Sequence, residues 1–456
     1  MYTLALAAAV SVVGVLFVGV QPAGTASEPI GELIRRAQPG DTVVVPRGTY
    51  REQVVVDKPL TLIGEGVPVI DGGRKGDVVV IAAENVTLRG FVVQASARDV
   101  SGEPAGIRVR GNGATIADNR VRDVLYGIVL EGSNSHRIVN NQVSSIEEFS
   151  AERRGHGLYL WYTDSNLIEG NTVENVKDGI FLGFATHTRA VGNHLSGMRY
   201  GMHYMYADHN EFEQNVFRDS VAGASIMFSR DIRLRGNEFA YNQSAASGYG
   251  LLFKDVDDVE MVDNRIHHNR LGITMEGTPN RPDAFVTLRN NFIGFNQIAI
   301  ELASTTRATF TQNSFVGNIE QVKASGGSLS HNTWALDGQG NYWDEYQGYD
   351  ANSDGVGDIP YRYEDVFGEL VRRNEAVRAY SYTPARAALD LAASWFPAFR
   401  PDPNVVDPSP LMSPLATLDA DTTSRGRITG LAVALVLTGI PLLVMFAPSR
   451  RRGAKW

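Results

Sequence analysis

The chain has no cysteine among its 456 residues, which excludes disulfides and thiolate metal ligands. If it is exported, its stability must then come from packing and hydrogen bonds rather than from cross-links. Basic residues are outnumbered as well, 42 Lys and Arg against 51 Asp and Glu, which gives a net charge of -9 and a pI near 5.6. This acidic balance argues against a nucleic-acid partner.

The N-terminal 26 residues have the character of an export signal. Residues 2–20 are uncharged and mostly apolar, and Gly24, Thr25 and Ala26 supply the small residues that a signal peptidase requires. We predict a signal peptide over residues 1–26, cleaved near Ala26, and therefore an extracytoplasmic protein. The usual basic residues before the apolar run are missing, so an uncleaved anchor or a misassigned start codon remains the alternative.

A 22-residue repeat organises the middle of the chain. Asn193, Asn215 and Asn237 are each followed two residues later by a large apolar residue, and Gly201 and Gly223 lie eight residues after the first two. The same asparagine position recurs at Asn119, Asn141, Asn171, Asn264, Asn291 and Asn313. Where the spacing exceeds 22 residues, the extra residues fall in turns. A period of this length predicts a solenoid of stacked coils.

Each coil is predicted to contain three short strands. The first and third residues after each repeat glycine are apolar, the two-residue period of a strand with one buried face. Twenty-two residues are too few for a helix plus a strand with turns. We therefore predict an all-β, right-handed parallel β-helix over residues 27–345, with coils about 4.8 Å apart. Asparagine is expected at one turn because it tolerates left-handed backbone angles and can bond to asparagines in adjacent coils.

Two outward-facing columns carry unusual residues for a soluble solenoid. The first holds Tyr159, Phe181, His203, Ser225 and Leu252, and the second holds Trp161, Gly183, Met205, Met227 and Lys254. His203 and Met205 should emerge on one face about 7 Å apart, with Met227 over Met205 in the next coil. Imidazole and thioether ligands without thiolate favour Cu(I), so we predict a copper site there. The same stripe, through Tyr159, Trp161 and Phe181, is equally typical of a protein interface, and both interpretations can hold together.

Other histidines offer weaker candidates. His187 and His209 occupy the same turn position in successive coils and form an alternative metal pair, although ordinary polar surface explains them as well. The doublet His267 and His268 is weaker still, because neighbouring residues on a strand point apart.

An acidic loop follows the repeat. Asp350, Asn352, Asp354 and Asp358 match oxygen-ligand positions of a calcium loop. Tyr361 stands where a helix-loop-helix calcium site has its bidentate glutamate, so that class of site is not supported. The loop, over residues 346–365, is therefore either a looser calcium site or a turn that caps the end of the β-helix.

The C-terminal part is predicted to reach the membrane. Residues 366–427 form a segment with helical periodicity and a proline-rich stretch. Residues 428–447 are 20 uncharged, largely apolar residues, enough to cross a bilayer. The tail over 448–456 contains Arg450, Arg451, Arg452 and Lys455, which places it in the cytoplasm and the β-helix outside.

Several motifs resemble known families. The opening Pro46-Arg47-Gly48-Thr49-Tyr50 and the regular coils resemble the carbohydrate-binding and sugar-hydrolase (CASH) β-helices. More specifically, YGMHYMY at 200–206, AGASIMFSR at 222–230, YGLLFKD at 249–255 and GNYWDEYQGYDANSDGVGDIPYRY at 340–363 resemble the NosD-type periplasmic maturation factors of nitrous oxide reductase. The likeness extends from about residue 28 to residue 414.

That resemblance implies a non-enzymatic accessory protein. NosD-type proteins are the extracytoplasmic part of an ABC-type complex, with a permease and an ATPase, that builds the copper–sulfide centre of nitrous oxide reductase, and a lipoprotein copper chaperone docks on them. The predicted membrane span departs from the common pattern of the family. Alternatives are a lyase or epimerase acting on acidic polysaccharide, or a passive carbohydrate-binding surface protein. The best acid–base candidates for an enzyme are Lys254, Asp255, Asp257, Glu276 and Glu301.

Overall fold

The computed structural model describes residues 15–16, 28–245, 247–326, 331–363, 370, 374–380, 383–395 and 405–418. Residues 1–416 form one compact unit and 417–456 a second, of which 417–418 are described. The predicted transmembrane helix, the basic tail and all but two residues of the predicted signal peptide lie outside these ranges. Within them, no helix has both the length and the apolar character needed to cross a bilayer. The segment boundaries predicted from the sequence stay predictions.

Three long parallel sheets run along the described part of the chain. Sheet A contains Val15–Leu16, Thr42–Val45, Thr61–Gly64, Thr87–Arg89, Thr115–Ala117, Arg137–Val139, Leu167–Glu169, Arg189–Val191, Asn210–Glu213, Arg230–Arg235, Asp257–Val262, Val286–Arg289 and Ala308–Thr311. Sheet B contains Thr49–Arg51, Val69–Asp71, Val92–Gln94, Arg120–Val124, Gln142–Ser145, Thr172–Glu174, His194–Ser196, Val216–Arg218, Glu238–Ala240, Arg265–His267, Phe292–Gly294, Ser314–Val316 and Tyr342–Trp343. Sheet C contains Val54–Val56, Val79–Ile81, Ala105–Val109, Tyr126–Glu131, Leu158–Asp164, Asp178–Thr186, Tyr200–Met205, Ala222–Met227, Tyr249–Lys254, Leu271–Glu276, Ile298–Ala303 and Glu320–Gly326.

The remaining described elements are few. Helices span Ile30–Arg36 and Pro384–Trp395, and 3-10 turns span Val100–Gly102, Ala151–Arg153 and Glu375–Tyr380. Tyr361–Tyr363 pairs antiparallel with Val405–Asp407.

Consecutive strands of the chain visit the three sheets in turn, so each coil contributes one strand to each sheet. Tyr200–Met205 pairs in parallel with Ala222–Met227, with Met202 opposite Ala224 and Tyr204 opposite Ile226. These inward residues are fully buried. The prediction of an all-β chain folded as a parallel β-helix, with the first and third residues after each glycine inside, is confirmed. The repeat glycines permit the close stacking, since a Cβ on Gly201 would lie 2.5 Å from the carbonyl oxygen of Gly223.

A short helix closes the N-terminal end. Ile30, Leu33 and Ile34 of the helix Ile30–Arg36 are buried against the first coil. The Glu52 carboxylate accepts hydrogen bonds from the main-chain N–H groups of Ile30, at 2.7 Å, and Gly31, at 3.1 Å. A carboxylate at this end satisfies free amides and interacts favourably with the helix dipole.

Buried asparagines form a continuous ladder between the coils. Its members are Asn119, Asn141, Asn171, Asn193, Asn215, Asn237, Asn264, Asn291, Asn313 and Asn341. Asn193 is typical: its Nδ2 donates to Asn215 Oδ1 at 2.8 Å, and its main-chain N–H donates to the same oxygen at 3.0 Å. Asparagine stacking is as predicted.

The expectation that these asparagines adopt left-handed backbone angles is wrong. The left-handed residue is the one before: Gly192, Gln214 and Gly236 have φ values of 63°, 54° and 63°. Because the preceding residue makes the turn, the asparagine itself can direct its amide into the stack.

Asp407 ends the ladder. It is fully buried, and its Oδ2 accepts hydrogen bonds from the main-chain N–H of Asn341 at 2.7 Å and from Trp343 Nε1 at 3.0 Å. Trp343 lies between the rings of Phe315 and Tyr361, at centroid distances of 4.2 and 4.4 Å. The returning strand Val405–Asp407 thus closes the last coil.

Replacing Asp407 should destabilise the C-terminal end. Asp407→Ala leaves buried N–H donors on Asn341 and Trp343 without an acceptor, and we expect the free energy of unfolding to fall by about 3 kcal/mol. Asp407→Asn keeps one acceptor oxygen and should cost less. Urea denaturation measures both, and equal stability of wild type and Asp407→Ala would show that the ladder needs no terminal acceptor.

His136 replaces asparagine in a second, shorter column. Its Nδ1 accepts from the main-chain N–H of Ala114 at 3.2 Å, as Asn166 Oδ1 accepts from the N–H of His136 in the next coil. Burial lowers the pKa of His136 below its ordinary value of 6.5. The ring is therefore neutral in the folded protein, because a proton on Nδ1 would remove the acceptor.

This geometry predicts a pH-dependent stability. As the pH falls below about 6.5, the unfolded chain takes up a proton on His136 before the folded chain does, so stability is lost at up to about 1.4 kcal/mol per pH unit. His136→Asn keeps an acceptor and cannot titrate. We expect the variant to match wild type at pH 7.5 and to lose less stability at pH 5 in urea denaturation, whereas parallel pH profiles would contradict the assignment.

Candidate functional site

Six half-buried side chains form a patch on the outer surface of sheet C, which we call the aromatic–methionine face. They are Tyr159, Trp161, Phe181, His203, Met205 and Met227. The strand register places Phe181 opposite His203, Gly183 opposite Met205, and Met205 opposite Met227. The two predicted columns therefore exist as the residue count requires. Ser225 and Leu252, which continue the first column, are buried instead of outward and accessible.

Aromatic contacts fix the first half of this face. The rings of Tyr159 and Phe181 stack at 5.0 Å, and Phe181 meets the His203 ring edge-on at 5.1 Å. Gly183 provides room for Trp161, because a Cβ there would lie 2.4 Å from the indole. His203 thus lies at the border between an aromatic surface and the two methionines.

A buried carboxylate holds His203 in place. Asp178, whose side chain is 0% exposed, accepts a hydrogen bond from His203 Nδ1 at 2.9 Å. Arg199 donates to both oxygens of Asp178, from Nη2 at 2.6 Å and from Nε at 2.8 Å. His156 Nδ1 lies 3.3 Å from Asp178 Oδ2, without the alignment of a hydrogen bond among the described residues. With Nδ1–H committed to Asp178, neutral His203 carries its lone pair on Nε2.

The charges in this cluster are settled by the partners of Asp178. Burial alone would raise the pKa of Asp178, but His156, His203 and Arg199 together lower it well below its ordinary value. Burial lowers the pKa of His156. Asp178 is therefore an anion at neutral pH, and Arg199 balances its charge.

Sequence reasoning missed Asp178 and His156. The signal was available, because each immediately precedes a repeat glycine, Gly179 and Gly157, where other coils carry tyrosine, alanine or leucine. Only the outward positions after the glycine were considered as candidates. Two polar residues at one repeat position in successive coils indicate a stacked cluster.

A second aromatic column borders the face. Tyr162, Phe184, Tyr206 and Phe228, which we call the aromatic ladder, stack at centroid distances of 4.7, 5.4 and 5.2 Å. They are 37–57% exposed and have left-handed φ values of 49–54°. This conformation costs a non-glycine residue about 1 kcal/mol or more. The four coils that carry the ladder are also the coils of the aromatic–methionine face.

The alternative histidine pair is brought together at a turn. The rings of His187 and His209 stack at 5.1 Å with planes 11° apart. His187 Nδ1 bonds to Asp164 and His209 Nδ1 bonds to Asp231, both at 2.7 Å. The ring faces meet, so the nitrogens lie side by side instead of converging on one point. Metal binding by this pair stays a prediction.

The acidic loop is folded around its own main chain. Asp350 Oδ2 accepts from Gly355 N at 2.8 Å, Asp354 Oδ1 from Val356 N at 2.8 Å, and Asp358 Oδ2 from Ala351 N at 2.7 Å. Asn352 Nδ2 donates to Asp354 Oδ2 at 2.9 Å. Across the described ranges, no group of three or more histidine and carboxylate side chains surrounds a common metal position. Calcium binding by Asp350, Asn352, Asp354 and Asp358 stays a prediction.

The residues considered for acid–base catalysis are mostly engaged in ion pairs. Lys254 Nζ lies 3.5 Å from Glu276, Lys323 pairs with Glu301, and Arg281 Nε lies 3.3 Å from Asp257 Oδ2. These pairs belong to separate coils of the described structure and do not gather around one groove.

Comparison with known proteins identifies the type of chain. The family model described as periplasmic copper-binding protein (NosD) matches residues 144–348. A protein of Pseudomonas aeruginosa named probable ABC transporter binding protein NosD is 27% identical over 398 residues, covering 85% of this chain and 91% of that protein. A protein of Stutzerimonas stutzeri with the same name is 28% identical over 381 residues, covering 81% and 86%. The resemblance inferred from the motifs is confirmed: the chain is of the NosD type.

A solved structure supports the fold alone. The A-module of a mannuronan C-5 epimerase from Azotobacter vinelandii superposes with a TM-score of 0.52 at 13% identity, covering 67% of this chain and 93% of that one. At this identity the match carries no argument about activity.

Asp178 should be worth more to stability than a similar exposed carboxylate. Asp178→Asn leaves Arg199 and His203 without their anionic partner in a buried setting, and we expect the free energy of unfolding to fall by about 3 kcal/mol. Asp164 also bonds a histidine Nδ1 but is exposed, so Asp164→Asn should cost less than about 1 kcal/mol. Urea denaturation compares them, and equal losses would show that Asp178 plays no special part.

Proposed function

We propose that this NosD-type chain is the extracytoplasmic accessory protein of an ABC-type transport complex and that it handles copper. In the finer form of the proposal, it serves the maturation of the copper–sulfide centre of nitrous oxide reductase. The printed names of the two relatives support the association with an ABC transporter, and the description of the family model supports copper binding.

The observation that carries the proposal is the geometry around His203. Its Nδ1 is committed to the buried Asp178, while Met205 follows two residues later and Met227 lies opposite Met205 in the next coil. A carboxylate behind a histidine fixes the tautomer and increases the basicity of the outer nitrogen, the usual arrangement behind a metal-binding imidazole. One imidazole and two thioethers form a soft, neutral ligand set that suits Cu(I) and needs no cysteine.

Half-burial of these three residues fits transfer better than storage. A ligand set at the surface of a sheet can exchange an ion with a partner protein, because the partner approaches without opening the fold. Methionine side chains are flexible and polarizable, and they adapt to a changing set of ligands.

The surrounding aromatics supply a docking surface for the partner. The aromatic–methionine face through Tyr159, Trp161 and Phe181, together with the exposed aromatic ladder, forms an apolar border around His203 and the methionines. Exposed apolar groups of this extent mark interaction sites. We propose that a lipoprotein copper chaperone docks here.

The further partners follow from the transport complex. We propose a permease and an ATPase as its other subunits and nitrous oxide reductase as the protein that receives the product. A location outside the cytoplasmic membrane, with residues 428–447 as the anchor, belongs to the same proposal. So does a binding role in place of an enzymatic one, which agrees with the paired state of Lys254, Glu276 and Glu301.

Copper retention tests the proposal. The variant His203→Gln, Met205→Leu, Met227→Leu removes the three soft ligands while nearly preserving volume, and we expect purified protein to lose the Cu(I) bound at this face. Met202→Leu removes a thioether from the inward side of the same strand, where Met202 is fully buried, and should leave retention unchanged. Cu(I) is measured by competition with a chromophoric chelator under reducing conditions.

The folded state needs a separate check. Far-ultraviolet circular dichroism and thermal unfolding of the triple variant should match wild type, because these residues lie outside the core. If the well-folded triple variant competes for Cu(I) as strongly as wild type, His203, Met205 and Met227 are not copper ligands.

A further inference from the structure

Two adjacent histidines at the outer edge of sheet B face each other. His267 ends the strand Arg265–His267, and His268 follows with a left-handed φ of 55°. The two Nδ1 atoms lie 2.9 Å apart, with the ring planes at 85°. The expectation that neighbours on a strand point apart is wrong here, because the left-handed backbone at His268 turns its side chain back toward His267.

His267 carries an unsatisfied nitrogen in a closed environment. Its side chain is 0% exposed, and its Nε2 has no hydrogen-bond partner among the described residues. The nearest carboxylate oxygen, Glu238 Oε1, lies 3.7 Å from that nitrogen. Burial lowers the pKa of His267 to about 3 and also lowers that of His268, so both rings are neutral at pH 7.

His268 is held as a flat plate between two other rings. Tyr241 stacks on one face at 4.9 Å and Phe295 on the other at 5.1 Å. These rings exclude water and additional ligands from both faces of the imidazole. Motion within the ring plane is still open, because it preserves both stacking contacts.

We propose that His267 and His268 form a two-coordinate site for a soft monovalent ion, Cu(I), bound between the two Nδ1 atoms. Two neutral imidazoles with no third ligand group beside them satisfy an ion that accepts linear coordination. They do not provide the four or more ligands of Zn(II) or Cu(II). Imidazole–metal bonds are about 2.0 Å long, so the nitrogens must separate to about 4 Å, roughly 1 Å more than in the structure. A shift of His268 within its stacking plane supplies that separation.

The protons balance without any redox step. Glu238 is the available acceptor for a proton on His267 Nε2, which leaves His267 Nδ1 as the acceptor and His268 Nδ1–H as the donor of the present contact. On binding, the His268 proton moves from Nδ1 to Nε2, and Cu(I) takes its place between the two lone pairs. No electron is transferred, and His267 keeps its proton toward Glu238, a common supporting contact behind a metal ligand.

The test isolates this dyad from the aromatic–methionine face on sheet C. The full chain carrying His203→Gln, Met205→Leu and Met227→Leu is titrated with Cu(I) against a chromophoric chelator under anaerobic, reducing conditions. We expect one equivalent of Cu(I) to remain bound. X-ray absorption at the copper edge should show two nitrogen neighbours and no sulfur.

A further substitution identifies the ligands. Adding His268→Phe retains the stacking between Tyr241 and Phe295 but removes Nδ1, and it should abolish the remaining equivalent. Adding His194→Gln, at an exposed histidine elsewhere on sheet B, should leave it in place. The proposal is overturned if the starting variant holds no Cu(I), or if the equivalent survives His268→Phe. Neither result depends on whether the aromatic–methionine face binds copper.

Discussion

The structure depends on a one-way chain of buried amides. Each ladder asparagine donates to the oxygen of the next one along the chain, from Asn119 to Asn341. Because every amide uses both its donor and its acceptor, a coil that shifted by one residue would bury polar groups without partners. The ladder therefore fixes the register of all three sheets, and the register decides which side chains lie next to each other outside.

The aromatic–methionine face is a consequence of this register. Met205 and Met227 are 22 residues apart in sequence, yet they are neighbours because one coil separates them. Beneath the same face, His156 and Asp178 occupy equivalent positions in successive coils, so a charge and an imidazole also meet. A soft outer surface above a buried ionic cluster combines adaptable ligands with one histidine whose orientation is fixed.

Counting residues from the glycines predicted the coils, the inward apolar positions and the register of the two outward columns. The count works because strand alternation and stacking are both periodic. It failed where the backbone leaves the strand conformation. The left-handed angles precede the asparagines instead of coinciding with them, and the one at His268 reverses a side chain that alternation would direct away. It also gave no warning of Asp178, since burial of a carboxylate depends on Arg199 and His203, which reach it from the neighbouring coil.

The position of Asp407 in the sequence has a consequence for how the molecule is made. The acceptor for Asn341 lies 66 residues further along the chain. A polypeptide that emerges from its N-terminus onward can roof every earlier rung with the coil that follows, but the last rung stays open until residue 407 arrives. Completion of the solenoid is thus postponed to a late stage of biosynthesis, and a chain truncated anywhere before that aspartate would present a hungry edge to its neighbours.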